Sequence, residues 1–280
     1  RQRDVDYLFR RFDANVVLTG VIDRQGPLLR LTLASIEPER GEPFSSVKVD
    51  SDLGNVSSLQ IIPLERAAEI VGFAFSNEDK QRVRDRATNV ARAFDLYVRA
   101  RGVIAPDLEE RDAETAVELL DESVELDPLF IPAREALLHS LALAFQDTDN
   151  RTYFDRGTQL AEDLAQSRPS ARFFRYQAEL LTANGEHQKA AAALERAADL
   201  APKSGEIFHK LGAAYLRLGR TEDAENAFHR SINLRPGYWF TPDALGRLYF
   251  GQGRYDIAAN SFRQVIKCAP RNTVGYNVLG

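Results

Sequence analysis

A chain of 280 residues, 44% hydrophobic and 28% charged, is long enough for one large or two ordinary cores without disulfides or metal. The formal charge of -5 excludes a chain-wide basic footprint for nucleic acid, and apolar runs such as LLHSLALAF at 137–145 fall short of the roughly 20 residues that span a bilayer. The single Cys268 forms no internal bridge, so cysteine usage leaves the redox compartment open.

The opening RQRDVDYLF has neither an initiator methionine nor a signal-peptide pattern, and it reads as the start of a fragment or a processed product. DVDYLFRRFD predicts a helix. NVVLTGVID then alternates Val16, Leu18 and Ile22 against Val17, Thr19 and Val21, and LLRLTLASIE alternates Leu29, Leu31 and Leu33 against Arg30 and Thr32; this period of two predicts strands, joined by the tight turn RQGP. A third short strand, SVKV at 46–49, follows EPERGEP, and SLQIIPLERAAEIVGF predicts a helix kinked or started at Pro63. Residues 1–75 therefore read as a small α+β domain. Ser76-Asn77-Glu78-Asp79 has the form of a capping box, opening a helix expected to run unbroken toward Tyr97 and to join the domains stiffly.

From 76 to 280 the pattern is helical and repeats. Pro202, Pro236 and Pro270 recur at a constant period of 34, as do Gly185, Gly219 and Gly253, then Ala190, Ala224 and Ala258, then Leu194, Phe228 and Phe262. Leu211, Gly212 and Tyr215 recur as Leu245, Gly246 and Tyr249. Each unit predicts a helical hairpin. Gly212 and Ala224 suit a close helix crossing with Tyr215 and Phe228 filling the flanks, Gly219 suits a left-handed helix end, Thr221 a cap for the second helix, and Pro236 a stop. Weaker copies precede these: 171–202 has Ala178 in place of the crossing Gly, Ala116, Leu120, Ser123 and Pro128 mark a second helix, and 132–167 reads as one hairpin with an enlarged loop at 146–152. Hairpins thus end near 128, 169, 202, 236 and 270, and NTVGYNVLG starts a sixth at 272.

This periodic pattern resembles the tetratricopeptide repeat, with its L-G-x2-Y, A-x3-F and P positions, which implies a mostly α, right-handed helical solenoid that binds proteins or peptides. The segments ANVVLTGVI, QGPLLRLTL and Gly41-Glu42 resemble the second half of the TolB-like N-terminal domain. That resemblance implies a bacterial signalling protein in which such a domain precedes the repeats, behind a serine/threonine kinase or nucleotide cyclase and often across a membrane from it; the chain is then extracytoplasmic, and otherwise cytoplasmic. The family's first strand and helix are missing here, so the domain is expected to be truncated, with a sheet edge to cover or pair.

Chemistry is sparse. The four histidines, His139, His187, His209 and His229, include no i, i+4 pair, no cysteine pair exists for zinc, and neither a phosphate-binding GxxxxGK[ST] nor a kinase motif occurs. GQGR at 251–254 falls at the repeat's helix-ending position, and Cys268 at the slot before the terminal proline reads as a structural thiol. No catalytic residue, metal or cofactor is expected.

What remains is surface. In the resembled fold the first helix of each hairpin lines the concave side. Its groove positions here are Arg172, Arg175, Tyr176 and Glu179; His209, Lys210 and Arg217; Phe240, Asp243, Arg247 and Phe250; and Asn277. This groove leans basic and aromatic, whereas residues 103–130 hold ten Asp or Glu against Arg111 alone and 203–271 hold eleven Lys or Arg against six acids. The expected partner is an acidic or carboxylate-ended peptide. The paired Lys and Asn of the two-carboxylate clamp are not reproduced, so that clamp's partner is not carried over. Trp239 is expected to pack on the preceding repeat. A non-catalytic scaffold or sensor is the leading reading, an enzyme with an interdomain site the alternative, and an RNA-binding array the third.

Overall fold

The computed structural model describes residues 17–25, 28–36, 43–52, 56–70, 72, 74, 76–105, 111–166 and 169–269. The helix expected over DVDYLFRRFD, the turn residues 26–27, and the sixth repeat with Asn277 lie outside them. Contacts divide the described chain into two compact units, 17–166 and 169–269.

In the first unit, β1 (Val17–Gln25), β2 (Leu28–Ile36) and β3 (Pro43–Asp52) form an antiparallel sheet in the order β1-β2-β3. Gln25 pairs with Leu28, which makes the first connection two residues long. The third strand is longer than the expected 46–49, because β2 offers a ladder along its whole length, from Leu28↔Asp52 to Ile36↔Pro43 with an irregularity at Ser35/Ile36. Val17, Ala34 and Ile36 are buried, and α1 (Val56–Ile70), with Ile61 and Ala68 buried, packs on β2 and β3. This helix is continuous through position 63 rather than starting there.

The unbroken helix expected from 77 to 97 is two helices, α2 (Asn77–Arg84) and α3 (Ala91–Val103). The capping box forms at Ser76 and Asp79, with Asp79 N–H donating to Ser76 Oγ at 3.1 Å. Thr88 causes the break. It is buried, its hydroxyl donates to the Asp127 carboxylate and it accepts the Val90 N–H at 3.0 Å, a local alternative to the helical ladder. Beside it, Arg86 donates to the buried Glu135 carboxylate, so the linker is tied down by polar bonds.

Helices α4 (Ala113–Leu126), α5 (Ile131–Thr148) and α6 (Arg151–Ala165) complete the unit. Asp112 caps α4 through Thr115 N–H, and Phe130 packs edge-on to Tyr97 at 5.2 Å. The enlarged loop expected at 146–152 does not exist. The extra residues lengthen α5 to 18, and only Asp149, left-handed at φ 55°, and Asn150, capping α6 through Thr152 N–H, connect the helices. Asp and Asn tolerate these turn conformations and cap at once, so polar residues that read as loop serve as caps.

The second unit holds three hairpins: α7 (Ala171–Ala183) with α8 (His187–Leu200), α9 (Gly205–Arg217) with α10 (Thr221–Leu234), and α11 (Phe240–Gly251) with α12 (Tyr255–Cys268). The architecture is the expected one, mostly α with a small sheet ahead of the repeats. Gly185, Gly219 and Gly253 end first helices at φ 77°, 71° and 74°. A Cβ on Gly212 would lie 2.6 Å from the Phe228 ring, and one on Gly246 2.6 Å from Phe262, so the phenyl group sits where the glycine leaves room. Thr221 does not cap α10. Arg220 holds the N-cap position without a side-chain cap, and the Thr221 hydroxyl donates back to Gly219 O.

Candidate peptide-binding surface

The residues expected in the groove sit on α7, α9 and α11, and several reach one another across consecutive hairpins. Arg175 Nη1 lies 2.9 Å from Glu179 Oε1 and 3.1 Å from Glu206 Oε1, while Lys210 Nζ reaches Glu179 Oε1 at 2.9 Å. The Arg175 guanidinium also lies over the Tyr176 ring, 4.2 Å from its centroid. Burial opposes the Arg175 charge, but Glu179, Tyr176 and Glu206 outweigh that and hold its pKa above the ordinary arginine value. This cation is a structural tie between hairpins. Tyr176, expected on the groove surface, is 2% exposed and forms part of the core.

His209 holds the repeat position of Arg175 one hairpin later and is also inside. Its chain of hydrogen bonds fixes the proton positions. Ser231 Oγ donates to Gly205 O at 2.7 Å, so in its 3.0 Å contact with Thr241 Oγ1 the threonine must donate; the Thr241 proton is then spent, and the 3.1 Å bond to His209 Nδ1 requires Nδ1–H as donor. Burial first, then the nearby Lys210 and Arg235, push the His209 pKa down to about 4, so it is neutral near pH 7. The chain joins α9, α10 and α11. It also holds the segment 238–241, where Tyr238 meets His209 edge-on at 5.3 Å and the half-buried Trp239 stacks on Phe240 at 3.9 Å.

Helix α11 presents the most open part of the surface. Phe240, Asp243, Arg247 and Phe250 follow a helical i, i+3, i+7, i+10 stripe. Phe240 is 46% and Phe250 56% exposed, about 15 Å apart along the axis at 1.5 Å per residue. Between them Arg247 Nε reaches Asp243 Oδ2 at 2.9 Å; the arginine side chain is 63% exposed and the aspartate only 15%, so the cation faces outward. Phe250 packs edge-on to Tyr255, which is itself exposed. Arg172 and Arg217 are exposed and have no ion-pair partner among the described residues.

The geometry therefore divides the expected set. Arg175, Glu179 and Lys210 pair with one another and with Glu206, and His209 bonds to Thr241, whereas Phe240, Arg247, Phe250, Arg172 and Arg217 are exposed. Glu206, Tyr238, Thr241 and Ser231 were not expected in the site. The repeat register that aligns Arg175 with His209 could have pointed to Thr241, because a polar residue at the start of the next first helix is what a buried imidazole needs. In the first unit a depression of about 420 Å³ is bounded by Arg111, Asp112, Glu114 and Asp147, and there Arg111 is already paired with Asp147 at 3.2 Å. Among the described residues no group of His, Cys, Asp or Glu is arranged to hold a metal, and no helix is long and apolar enough to cross a membrane.

Comparison with known proteins gives this geometry its class. Two tetratricopeptide-repeat family models match, one over residues 181–239 and the other over 153–205 and 244–273. The chain carries tetratricopeptide repeats. Among solved structures it is similar to TTC0263, a thermophilic tetratricopeptide-repeat protein of Thermus thermophilus, at 17% identity and TM-score 0.52 over 67% of this chain and 93% of that one. It is also similar to pilF of Pseudomonas aeruginosa, at 20% identity and TM-score 0.52 over 65% and 79% of the two chains. At such identities the likeness speaks for the fold alone. No curated protein matches the chain. Tetratricopeptide-repeat proteins are in general protein-interaction scaffolds, and the fold is typically non-catalytic.

Proposed function

We propose that the second unit is a non-catalytic binding module that takes up a segment of another protein along α9 and α11. The observation that carries this reading is the α11 stripe, two exposed phenyl rings about 15 Å apart with an outward cation between them. Large rings on a rigid helix lose little side-chain freedom on binding and anchor a partner's apolar groups, and a guanidinium between them selects an anionic one. The preferred ligand is thus a short segment with two apolar residues flanking a carboxylate. Specificity for acidic groups rests on Arg172 and Arg217, which have no ion-pair partner among the described residues, and on Arg247, 63% exposed although Asp243 holds its Nε, since Arg175 and Lys210 are less exposed and already paired with Glu179 and Glu206. A role as scaffold or sensor of a larger bacterial signalling protein, as the TolB-like resemblance implies, belongs to the same proposal.

Selection of random dodecapeptides on the immobilised chain tests it. Selected peptides should be enriched in acidic and large apolar residues, and should bind Phe240→Ala and Phe250→Ala proteins on the order of tenfold more weakly. Peptides that bind both variants as well as the parent, or a selection no richer than one on a scrambled control surface, overturn the proposal.

A further inference from the structure

We infer that one partner of the α11 stripe is a second copy of this chain, which presents its acidic Leu126–Leu129 turn to the stripe in a head-to-tail contact. This rests on the binding role proposed for α11 and names an occupant. The position after the helix-ending proline is Ser170, Lys203, Gly237 and Arg271 in the later repeats but Leu129 in the first. Leu129 is 80% exposed, and Leu126 beside it is also exposed. The turn is rigid. Leu129 N–H donates to Asp127 Oδ1 at 3.1 Å, Phe130 N–H donates to Asp127 O at 3.1 Å, and the other Asp127 carboxylate oxygen accepts from Thr88. A leucine held out on a braced turn keeps its apolar surface in water with little freedom left to lose on docking.

Charge selects the occupant. Glu118 and Glu125 are exposed on α4 next to the turn, with Glu122 beside them paired to Arg92 at 3.2 Å, within a stretch of ten acids and one base, whereas the stripe lies within a stretch of eleven bases and six acids. Two copies attract when the acidic stretch of one meets the basic stretch of the other, and repel when like stretches meet. In the contact, Leu126 and Leu129 pack against the rings of Phe240 and Phe250 while Glu125 faces Arg247. The two patches are different surfaces, so the contact closes reciprocally as a two-fold dimer or continues from copy to copy into chains. A turn on a helix face buries less than a standard interface of about 1,600 Å², so the concentration series is centred on a weak association, about 10–100 µM.

Sedimentation velocity of the full chain over a concentration series reads this out. At about 50 mM salt the weight-average mass should rise with concentration, and the apparent dissociation constant should weaken by on the order of tenfold at about 500 mM. Leu129→Asp, Glu125→Arg and Arg247→Glu change exposed side chains; each should keep the helical circular-dichroism spectrum and sediment as a monomer. An equimolar mixture of Glu125→Arg and Arg247→Glu proteins should associate again, because every contact between unlike molecules then pairs opposite charges while each variant repels itself. A parent chain that stays monomeric throughout, variants that associate like the parent, or a mixture that stays monomeric each overturn the inference. If the chain is monomeric yet selected peptides still lose affinity for Phe250→Ala, the self-contact falls and the binding role of α11 stands, with a foreign acidic segment as its occupant.

Discussion

The hairpins α7–α8 and α9–α10 share one register and solve the same crossing differently. In α9–α10 the close approach pairs Gly212 with Phe228, and α11–α12 repeats it with Gly246 and Phe262. In α7–α8 the matching residues are Ala178 and Leu194, both buried. The first residue gains a methyl and the second loses a ring. What is held constant is the volume that the two residues fill together, and the repeat motif is one of several ways to fill it.

The largest effect expected from breaking this balance is at the ring. Phe228 is fully buried, and Phe228→Ala leaves a void on the glycine side that no Cβ can fill, at a cost of about 3–5 kcal/mol measured by urea unfolding. Gly212→Ala comes next. Its new methyl meets the ring at 2.6 Å and should cost about 1–3 kcal/mol. The comparison is sharpened by combining Gly212→Ala with Phe228→Leu, the pair that α7–α8 uses. The double variant should recover at least about half of the loss from Gly212→Ala, and a strictly additive cycle would show that the two hairpins do not share the rule.

Polar positions differ between hairpins as well, and pH probes that difference. Arg175, His209 and Asp243 occupy one repeat position in successive hairpins, and only His209 titrates near neutrality when unfolded. Its folded pKa of about 4 lies below the ordinary 6.5, so as pH falls the unfolded chain takes up the proton first. The stability is fully present above pH 6.5 and is lost as the pH falls toward 4. At about 1.4 kcal/mol per pKa unit, the loss from pH 7 to pH 5 is about 2 kcal/mol. His209→Gln should flatten that slope in urea unfolding at the two pH values, and an unchanged slope would assign it to other groups.

Much of this was legible in the sequence, for a definable reason. Gly, Pro and Ala act locally, through φ, a missing N–H or a missing side chain, so a constant period in those types reports hairpins directly. Contacts that need two side chains from different helices were less visible. Arg196 over Phe174 and Arg230 over Phe208 recur at the repeat period, as do Arg220 over Tyr215 and Arg254 over Tyr249, yet an arginine in sequence looks like any solvated charge. The pairing of the groove cations was only partly visible. Arg175 and Lys210 were expected as groove cations, yet both pair with Glu179, an expected groove residue on the same helix as Arg175, and Glu206, a whole hairpin away in sequence, gives Arg175 a second acid. Thr88 likewise breaks a helix through Asp127, far along the chain on the turn after α4.

The smallest expected effect separates backbone from packing. Gly219 and Gly212 lie in one hairpin and both resist alanine, but for different reasons: at Gly219 a Cβ meets nothing within 4 Å, and the obstacle is φ 71° alone. Gly219→Ala should therefore cost about 1 kcal/mol, the ordinary penalty for a left-handed residue that bears a Cβ. Because no neighbour is touched, Phe228→Leu should give no rescue there, whereas it rescues Gly212→Ala. Gly219→Asn tests the cause further, since asparagine reaches the left-handed region more cheaply, and it should unfold at a urea midpoint between those of the parent and Gly219→Ala. An asparagine variant no better than alanine would mean that something other than φ holds this position, and the local reading of the repeat glycines would lose its basis.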